Sequence, residues 1–499
     1  MLQPQRPSGH TAAASEAPKS RTGDRAWRTL AVATLLSSVA GGELLRLYLL
    51  PGTGAALAAG GLLGFCVLGQ RHFKLRERLL LAASVALSGL AFAVHADPAA
   101  TIHAALDRAG FLAAFMLLLG VLREAAATSP AVVASGRYLT QQPPKRRYGA
   151  IAGGSHLLTV LLNLGALSLL APLITAGVRA GRDAGDPAWI AEIKQRRQIC
   201  ANLRGFSVAI VWAPTTVTQA LLANLFPGAD TLRVILSGLG FATGALLLGW
   251  IEDGLRWRRV RKRLAKDGAR PRYPGTPPPW RALGGFAAVC ASLAALAGTV
   301  TWTADVETVP ALMLAAPVLT LGWIAWQHAP EGPRAAAGAA GRRGAEILGR
   351  AVPAASPEAI TLACAGYIGV MLAALVPSEA VAAVAAPEVL PPVLLLALLP
   401  LAVVLATHLA LTPIVMAVFL GTALGGIAPL PVAPELLILA LSGGWALAFT
   451  ASPFASGALI LNRMTGIAAT DLTWRWNGLY SVLAYALLVA VLVLLNPLA

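Results

Sequence analysis

The sequence predicts an all-α polytopic membrane protein with about eleven transmembrane helices and two opposed re-entrant hairpins in an inverted repeat. Of the 499 residues, 57% are hydrophobic and only 12% are charged. The apolar stretch 149–177 carries basic clusters on both flanks, whereas 351–462 contains no Lys or Arg. Because short basic loops stay cytoplasmic, these two patterns orient the chain in the bilayer.

Charge and cysteine usage exclude other classes of protein. The net charge of +16 is spread over loops between apolar segments, a pattern typical of cytoplasmic retention and anionic-lipid contact rather than nucleic-acid binding. Cys66, Cys200, Cys290 and Cys364 have no paired spacing, so neither a disulfide framework nor a metal site is predicted. Residues 1–28 are polar and predict a disordered cytoplasmic tail.

Apolar segments of ~20 residues can be placed in order along the first half. The predicted spans are 30–50, 53–69, 79–94 and 102–122. They leave the polar segment 123–147, with its Gln-Gln-Pro-Pro turn, on the cytoplasmic side.

The stretch 149–177 then enters and leaves by the same face, as a re-entrant hairpin does. Asn163 and Gly165 lie near its middle, and both residue types suit a turn. Irregular backbone at membrane depth is tolerated where it lines a cavity, so this tip is a candidate solute site. The alternative is one long tilted helix with Asn163 bonded to a neighbour.

A broken span follows the hairpin, from 204 to about 226. Pro214 removes a backbone hydrogen bond inside it, and the hydroxyls of Thr215 and Thr216 can bond the freed carbonyls or a ligand. After a span at 232–251, the basic segment 256–281 predicts a cytoplasmic linker. It divides a first membrane repeat, 29–255 with an extra N-terminal span, from a second, inverted repeat, 282–499.

The second half repeats the plan in mirror image. Its predicted elements are spans at 283–303, 311–326 and 360–376, a hairpin at 390–426, a broken span at 436–461 and a last span at 478–495. The flanks of the hairpin are acidic, so both of its ends are predicted outside, as is the C-terminus. Pro413 is predicted to end the helix that enters the hairpin. The alternative is a Pro-kinked pair of ordinary spans.

Weak self-similarity supports the repeat. Gly205 and Pro214 in the first half match Gly444 and Pro453 in the second, each pair 239 residues apart. If the four breaks meet, they surround one cavity. The candidate substrate-binding residues are Asn163, Gly165, Pro214, Thr215, Thr216, Thr412, Pro413, Thr450, Ser452, Pro453 and Ser456.

Donor amides and hydroxyls at such breaks suit an anion, and oxygens near Asn163 and Thr412 suit Na⁺. No cofactor is predicted beyond Na⁺ or H⁺ as a coupling ion. His156 and His408 occupy matched places and are candidates for proton coupling; the alternative is a histidine bonded within the bundle. Arg204 is a candidate partner for an anionic substrate, or else a cytoplasmic anchor.

This layout resembles the ion transporter superfamily, in particular the divalent anion:sodium symporters, over about 53–495. The Ser-Asn-Thr signatures of that family are absent; Asn163 is the nearest equivalent and Thr412 a weaker one. The resemblance implies an elevator-type homodimer.

The predicted function is secondary active transport of a small organic or inorganic anion across a bacterial-type plasma (inner) membrane. One alternative is an Na⁺/H⁺ antiporter or anion exporter of the same superfamily. Another is a membrane-embedded enzyme acting on a lipid-linked substrate, although no His, Asp or Glu residues have metal-ligand spacing.

Overall fold

The computed structural model describes residues 20–70, 73–94, 97–127, 129–183, 185–258, 262, 277–427 and 432–496. These residues form helices and no strands, and ten of their helices are long and apolar enough to cross a membrane. The prediction of an all-α, multi-pass membrane protein is therefore confirmed. Residues 1–19 of the predicted tail and most of the predicted linker 256–281 lie outside the described residues.

The first half contains ten helices within the described residues. They are α1 (Ser20–Tyr48), α2 (Pro51–Leu68), α3 (Leu75–Val94), α4 (Pro98–Ala127), α5 (Pro130–Thr140), α6 (Pro144–Leu162), α7 (Gly165–Asp183), α8 (Ala188–Ala209), α9 (Val217–Leu225) and α10 (Thr231–Arg256). Residues 20–28, predicted as disordered tail, instead extend α1 toward the N-terminus.

The second half is built in the same way. Its main helices are α11 (Trp280–Ala304), α12 (Thr308–Gln327), α13 (Pro333–Glu346), α14 (Ser356–Ala374), α15 (Ser378–Ala385), α16 (Pro392–His408), α17 (Pro413–Gly425), α18 (Pro434–Ala451), α19 (Ser456–Thr465) and α20 (Trp476–Leu495). Two π-helical turns, Ile347–Ala351 and Asp471–Arg475, lead toward α14 and α20.

Both predicted hairpins are pairs of helices joined by a short turn. The helical structure is interrupted at residues 163–164, between α6 and α7, which excludes a single long helix. In the second hairpin α16 has 17 residues and α17 has 13, both shorter than the ~20 of an ordinary span. The predicted role of Pro413 was wrong, because α16 already ends at His408. Pro413 is instead the first residue of α17, a position where the backbone N–H that proline lacks would have no partner within the helix.

Both predicted broken spans are also interrupted. The first stops at Ala209 and resumes at Val217, so the unwound segment is 210–216. The second stops at Ala451 and resumes at Ser456. Each break contains the predicted proline, Pro214 or Pro453.

The two halves interlock by equivalent contacts. The first arm of each hairpin packs on the broken helix of its own half, α6 on α8 and α16 on α18. The second arm packs on the far piece of the other half's broken helix, α7 on α19 and α17 on α9. Phe206 and Phe449 join the two broken helices edge to face, with ring centroids 4.9 Å apart. This exchange holds the four interruptions in one bundle.

The matched glycines lie where the broken helices cross the hairpins. A Cβ atom at Gly205 would overlap the backbone carbonyl of Ala152 in α6. A Cβ atom at Gly444 would lie 2.6 Å from Cα and 2.8 Å from the carbonyl oxygen of Pro400 in α16. Small residues allow such close approach of helix backbones. The two glycines that are 239 residues apart in the sequence thus mark two equivalent helix crossings, one in each half.

Candidate functional site

The tip of each hairpin holds a residue with a positive φ angle. Asn163 has φ 49° and Ala410 has φ 63°; Asp305 is the remaining non-glycine example within the described residues. Such backbone costs on the order of 1 kcal/mol or more for a residue with a side chain, and it concentrates at binding sites. The predicted turn at Asn163 is confirmed.

A hydroxyl from each break bonds the end of the hairpin arm beside it. Thr215 donates to the carbonyl of Val160 in the last turn of α6. Ser452 donates to the carbonyl of Thr407 in the last turn of α16, at 3.0 Å. The last carbonyls of a helix have no partner within it, so these two hydroxyls supply donors there; the carbonyl of Thr407 also accepts from the amide of Ala410 at 3.2 Å. They also tie each break to its hairpin.

We therefore expect Thr215→Val to lower the free energy of unfolding by about 1–3 kcal/mol, since it removes the donor to the carbonyl of Val160. Ser452→Ala should cost about 0.5–1.5 kcal/mol, since the carbonyl of Thr407 keeps its bond from the amide of Ala410 at 3.2 Å. Thermal unfolding in detergent measures the effect. Thr299→Val is the control, because the hydroxyl of Thr299 bonds a carbonyl of its own helix at an exposed position. Equal effects at all three positions would contradict this role.

The tip cleft is a cavity beside the first hairpin tip. Its volume is about 20 Å³, enough for one water molecule, and it lies between α4, α6 and the first break. Asn163 and Thr215, both predicted from sequence, line it together with Arg123 of α4. A Cβ atom at Gly165 would lie 3.9 Å from the side chain of Arg123, so that arginine reaches the start of α7 as well.

The loop cleft lies on the other side of the first break. Its volume is about 170 Å³, and it is bounded by Trp212, Pro214 and Gln219 and by the connection between α11 and α12. The amide of Gln219 donates to the carbonyls of Ile210, at 3.2 Å, and Val211, which have lost their helical partners. Glu307 lies at the mouth, where burial raises the pKa of its carboxyl.

One short segment separates the two clefts. Thr215 and Val217 line the tip cleft, whereas Trp212 and Pro214 line the loop cleft. The unwound segment 210–216 is thus a thin septum between two cavities.

The two candidate histidines are each bonded to a tryptophan. The indole of Trp212 donates to Nε2 of His156 at 2.9 Å, and Nδ1 lies 3.3 Å from the carbonyl oxygen of Gly205. Since indole only donates, Nε2 must accept, and the remaining proton of a neutral ring then faces Gly205. His408 receives a longer bond from Trp474, 3.3 Å, and contacts the carbonyl of Val404. Proton coupling at either residue stays a prediction.

Arg204 is buried in a polar network instead of facing either cleft. Its guanidinium donates to Glu252 at 2.8 Å, Asn477 at 2.7 Å and Tyr148 at 3.1 Å. Tyr480 stacks beneath it, 4.2 Å from the ring centre. This network joins α6, α8, α10 and α20. All of these partners of Arg204 are side chains of the protein itself. A role for Arg204 in binding an anionic substrate stays a prediction.

The remaining candidates surround the second hairpin and the breaks. The hydroxyl of Thr412 is buried without a hydrogen-bond partner within the described residues, directly before Pro413. Thr450 accepts from Ser481 at 2.9 Å. The other three bound the breaks, where Thr216 bonds the carbonyl of Ala213 at 2.8 Å, Pro453 is buried and Ser456 begins α19.

Sequence reasoning missed two residues of the clefts, Arg123 and Gln219. The rule that basic residues mark loops assigned Arg123 to a cytoplasmic segment, although it lies within α4, one turn before that helix ends at Ala127. Gln219 carried a usable signal, because an amide five residues after Pro214 in an apolar span can reach the freed carbonyls.

These features define a multi-pass membrane protein with paired hairpins and paired broken helices, whose two clefts lie at the first hairpin and the first break; no described residue of the second hairpin or second break lines either cleft. The YdaH transporter of Alcanivorax borkumensis has a similar fold: TM-score 0.50 and 14% identity over 84% of this chain and 98% of that one. MtrF of Neisseria gonorrhoeae, from a class of antimetabolite efflux pumps, gives a TM-score of 0.48 and 11% identity over 84% and 94%. No family model and no curated protein matches the chain. The likeness supports a transporter fold without singling out the divalent anion:sodium symporters.

Proposed function

We propose that this protein is a secondary active transporter that moves a small anion across the plasma (inner) membrane by alternating access. The observation that carries the proposal is the pair of clefts separated by the segment 210–216. A transporter needs one site that can open to either side, and a thin, irregular septum between two cavities meets that need.

Charge patterning supports opposite openings. The loop cleft is bounded by the α9–α10 and α11–α12 connections, which the distribution of Lys and Arg assigns to the external face. The tip cleft lies beside residues 115–123 in the C-terminal half of α4, which leads into the basic cytoplasmic segment. In this proposal the first hairpin is re-entrant from inside and the second from outside.

Coupling and assembly are part of the same proposal. We take Na⁺ or H⁺ as the coupling ion, with the buried free hydroxyl of Thr412 as one oxygen near a Na⁺ position. An elevator movement within a homodimer, as in the divalent anion:sodium symporters that the layout resembles, completes it. The enzyme alternative gains no support, since the described residues hold no group of three His, Cys, Asp or Glu side chains fit for a metal.

Single cysteines in a background without Cys66, Cys200, Cys290 and Cys364 test the proposal. Asn163→Cys reports on the tip cleft and Ala223→Cys on the loop cleft. A membrane-impermeant maleimide should label the first from the cytoplasmic side only and the second from the external side only.

The control is Gly240→Cys, at an exposed position on α10 where a Cβ atom meets nothing within 4 Å. It should face lipid and stay unlabelled from both sides. If both cleft positions behave like this control, or both are labelled from one side, the proposed function is wrong.

A further inference from the structure

The tip cleft contains one charged side chain among its described lining residues, that of Arg123. We infer that Arg123 is the residue that receives the anionic group of the transported solute, after exchange from its present partner Glu358. This inference rests on the proposed function, whose site it deepens. Sequence reasoning assigned that role to Arg204, whose guanidinium is held by Glu252, Asn477 and Tyr148.

The position of Arg123 fits the role. It lines the cleft opposite Asn163 and Thr215, and its aliphatic stem lies close to Gly165. The residue belongs to α4, which packs chiefly on α14 and also contacts the hairpin arm α6 and the short helix α9. A solute held by the hairpin tip would therefore contact a cation supplied by a neighbouring helix and not by the hairpin itself, and that contact would change if the tip moved relative to α4.

The present partner of Arg123 can be displaced. Nη2 lies 3.1 Å from Oε2 of Glu358, whose side chain is 51% exposed, while that of Arg123 is 22% exposed. An ion pair as open as this contributes little to stability, because water screens it. A guanidinium has five N–H donors in a planar fork, so it can pass from this carboxylate to an oxyanion of a solute without leaving its charge unpaired.

A cysteine beside Arg123 gives a direct test that needs no known substrate. A Cβ atom at Gly120 would lie 3.8 Å from Nη2 of Arg123, an ordinary contact. In the cysteine-free protein, Gly120→Cys is treated with an anionic and a cationic methanethiosulfonate reagent, and the ratio of the two rates is measured. We expect the anionic reagent to react faster.

Arg123→Gln should lower this ratio at least about tenfold, since a full charge next to the thiol is lost and that charge acts on the two reagents with opposite sign. Arg123→Lys should keep most of the anionic preference. A lower ratio in Arg123→Gln can then be assigned to the lost charge and not to misfolding. Glu358→Gln should raise the ratio severalfold, because it removes the competing carboxylate. The matched control is Arg475→Gln, which breaks an exposed pair with Asp471 of 2.9 Å outside the cleft and should leave the ratio unchanged.

An unchanged ratio in Arg123→Gln, or a lower ratio in Glu358→Gln, would overturn the inference. Neither result would affect the proposed function, which depends on the sidedness of labelling at positions 163 and 223. Conversely, an anionic preference at Gly120→Cys, together with labelling of positions 163 and 223 from the same side of the membrane, would keep the charge role of Arg123 and remove alternating access.

Discussion

Replacing Gly205 or Gly444 by alanine is expected to prevent normal packing of the hairpins and to abolish transport. At Gly205 the new methyl group would overlap the carbonyl of Ala152, and at Gly444 it would lie 2.6 Å from Cα of Pro400. In both cases the obstacle is backbone, which cannot rotate away as a side chain can. We expect a loss of about 1–3 kcal/mol or more from the free energy of unfolding.

Two other glycines are controls at which alanine should not lower the free energy of unfolding. A Cβ atom at Gly153 of α6 or Gly240 of α10 meets nothing within 4 Å. Alanine stabilises a helix interior relative to glycine by roughly 0.5–1 kcal/mol, so Gly153→Ala and Gly240→Ala should be neutral or slightly stabilising. Thermal unfolding and the yield of monodisperse protein distinguish the pairs. Tolerance of alanine at both crossings would refute the paired-crossing interpretation.

The glycine pair also shows how far sequence reasoning reached. The 239-residue match between Gly205 and Gly444 indicates repetition in the sequence. The physical cause of the match is tertiary: each glycine lies at an equivalent crossing of a broken helix and a hairpin arm. Asn163 was predictable because turn chemistry is local. Pro413 was not, because proline suits both the end of one helix and the first residue of the next.

Arg123 marks the limit of the charge rule. Counting Lys and Arg orients segments, and it placed the end of α4 near the cytoplasm. The same count cannot say which arginine of a basic segment turns toward a cleft, since that depends on how α4 packs beside the first hairpin. The packing of each second hairpin arm on the other half is likewise a property of the tertiary structure. No local sequence pattern predicts that α7 packs on α19 or that α17 packs on α9.

Breaking the buried pair of Arg204 and Glu252 is expected to destabilise the protein, by about 3–5 kcal/mol for Glu252→Gln, because that change leaves the charge of Arg204 in the interior without an anionic partner. The side chains are only 2% and 8% exposed, and their atoms are 2.8 Å apart. Arg204→Gln should cost less, because Glu252 keeps an ion pair with Arg256 at 3.0 Å. Both changes should lower Tm, whereas Arg475→Gln, at an exposed pair, should change it little.

The double variant separates a structural role from a substrate role for Arg204. If the pair is structural, Arg204→Met combined with Glu252→Gln should recover much of the stability lost in the single variants, since no unpaired charge remains. The charge preference of the tip cleft, measured at Gly120→Cys, should then stay as in the parent protein, because that preference comes from Arg123. A recovered Tm with a lost anionic preference would instead return Arg204 to the site, acting on the cleft from α8 through the hairpin arm that packs on it.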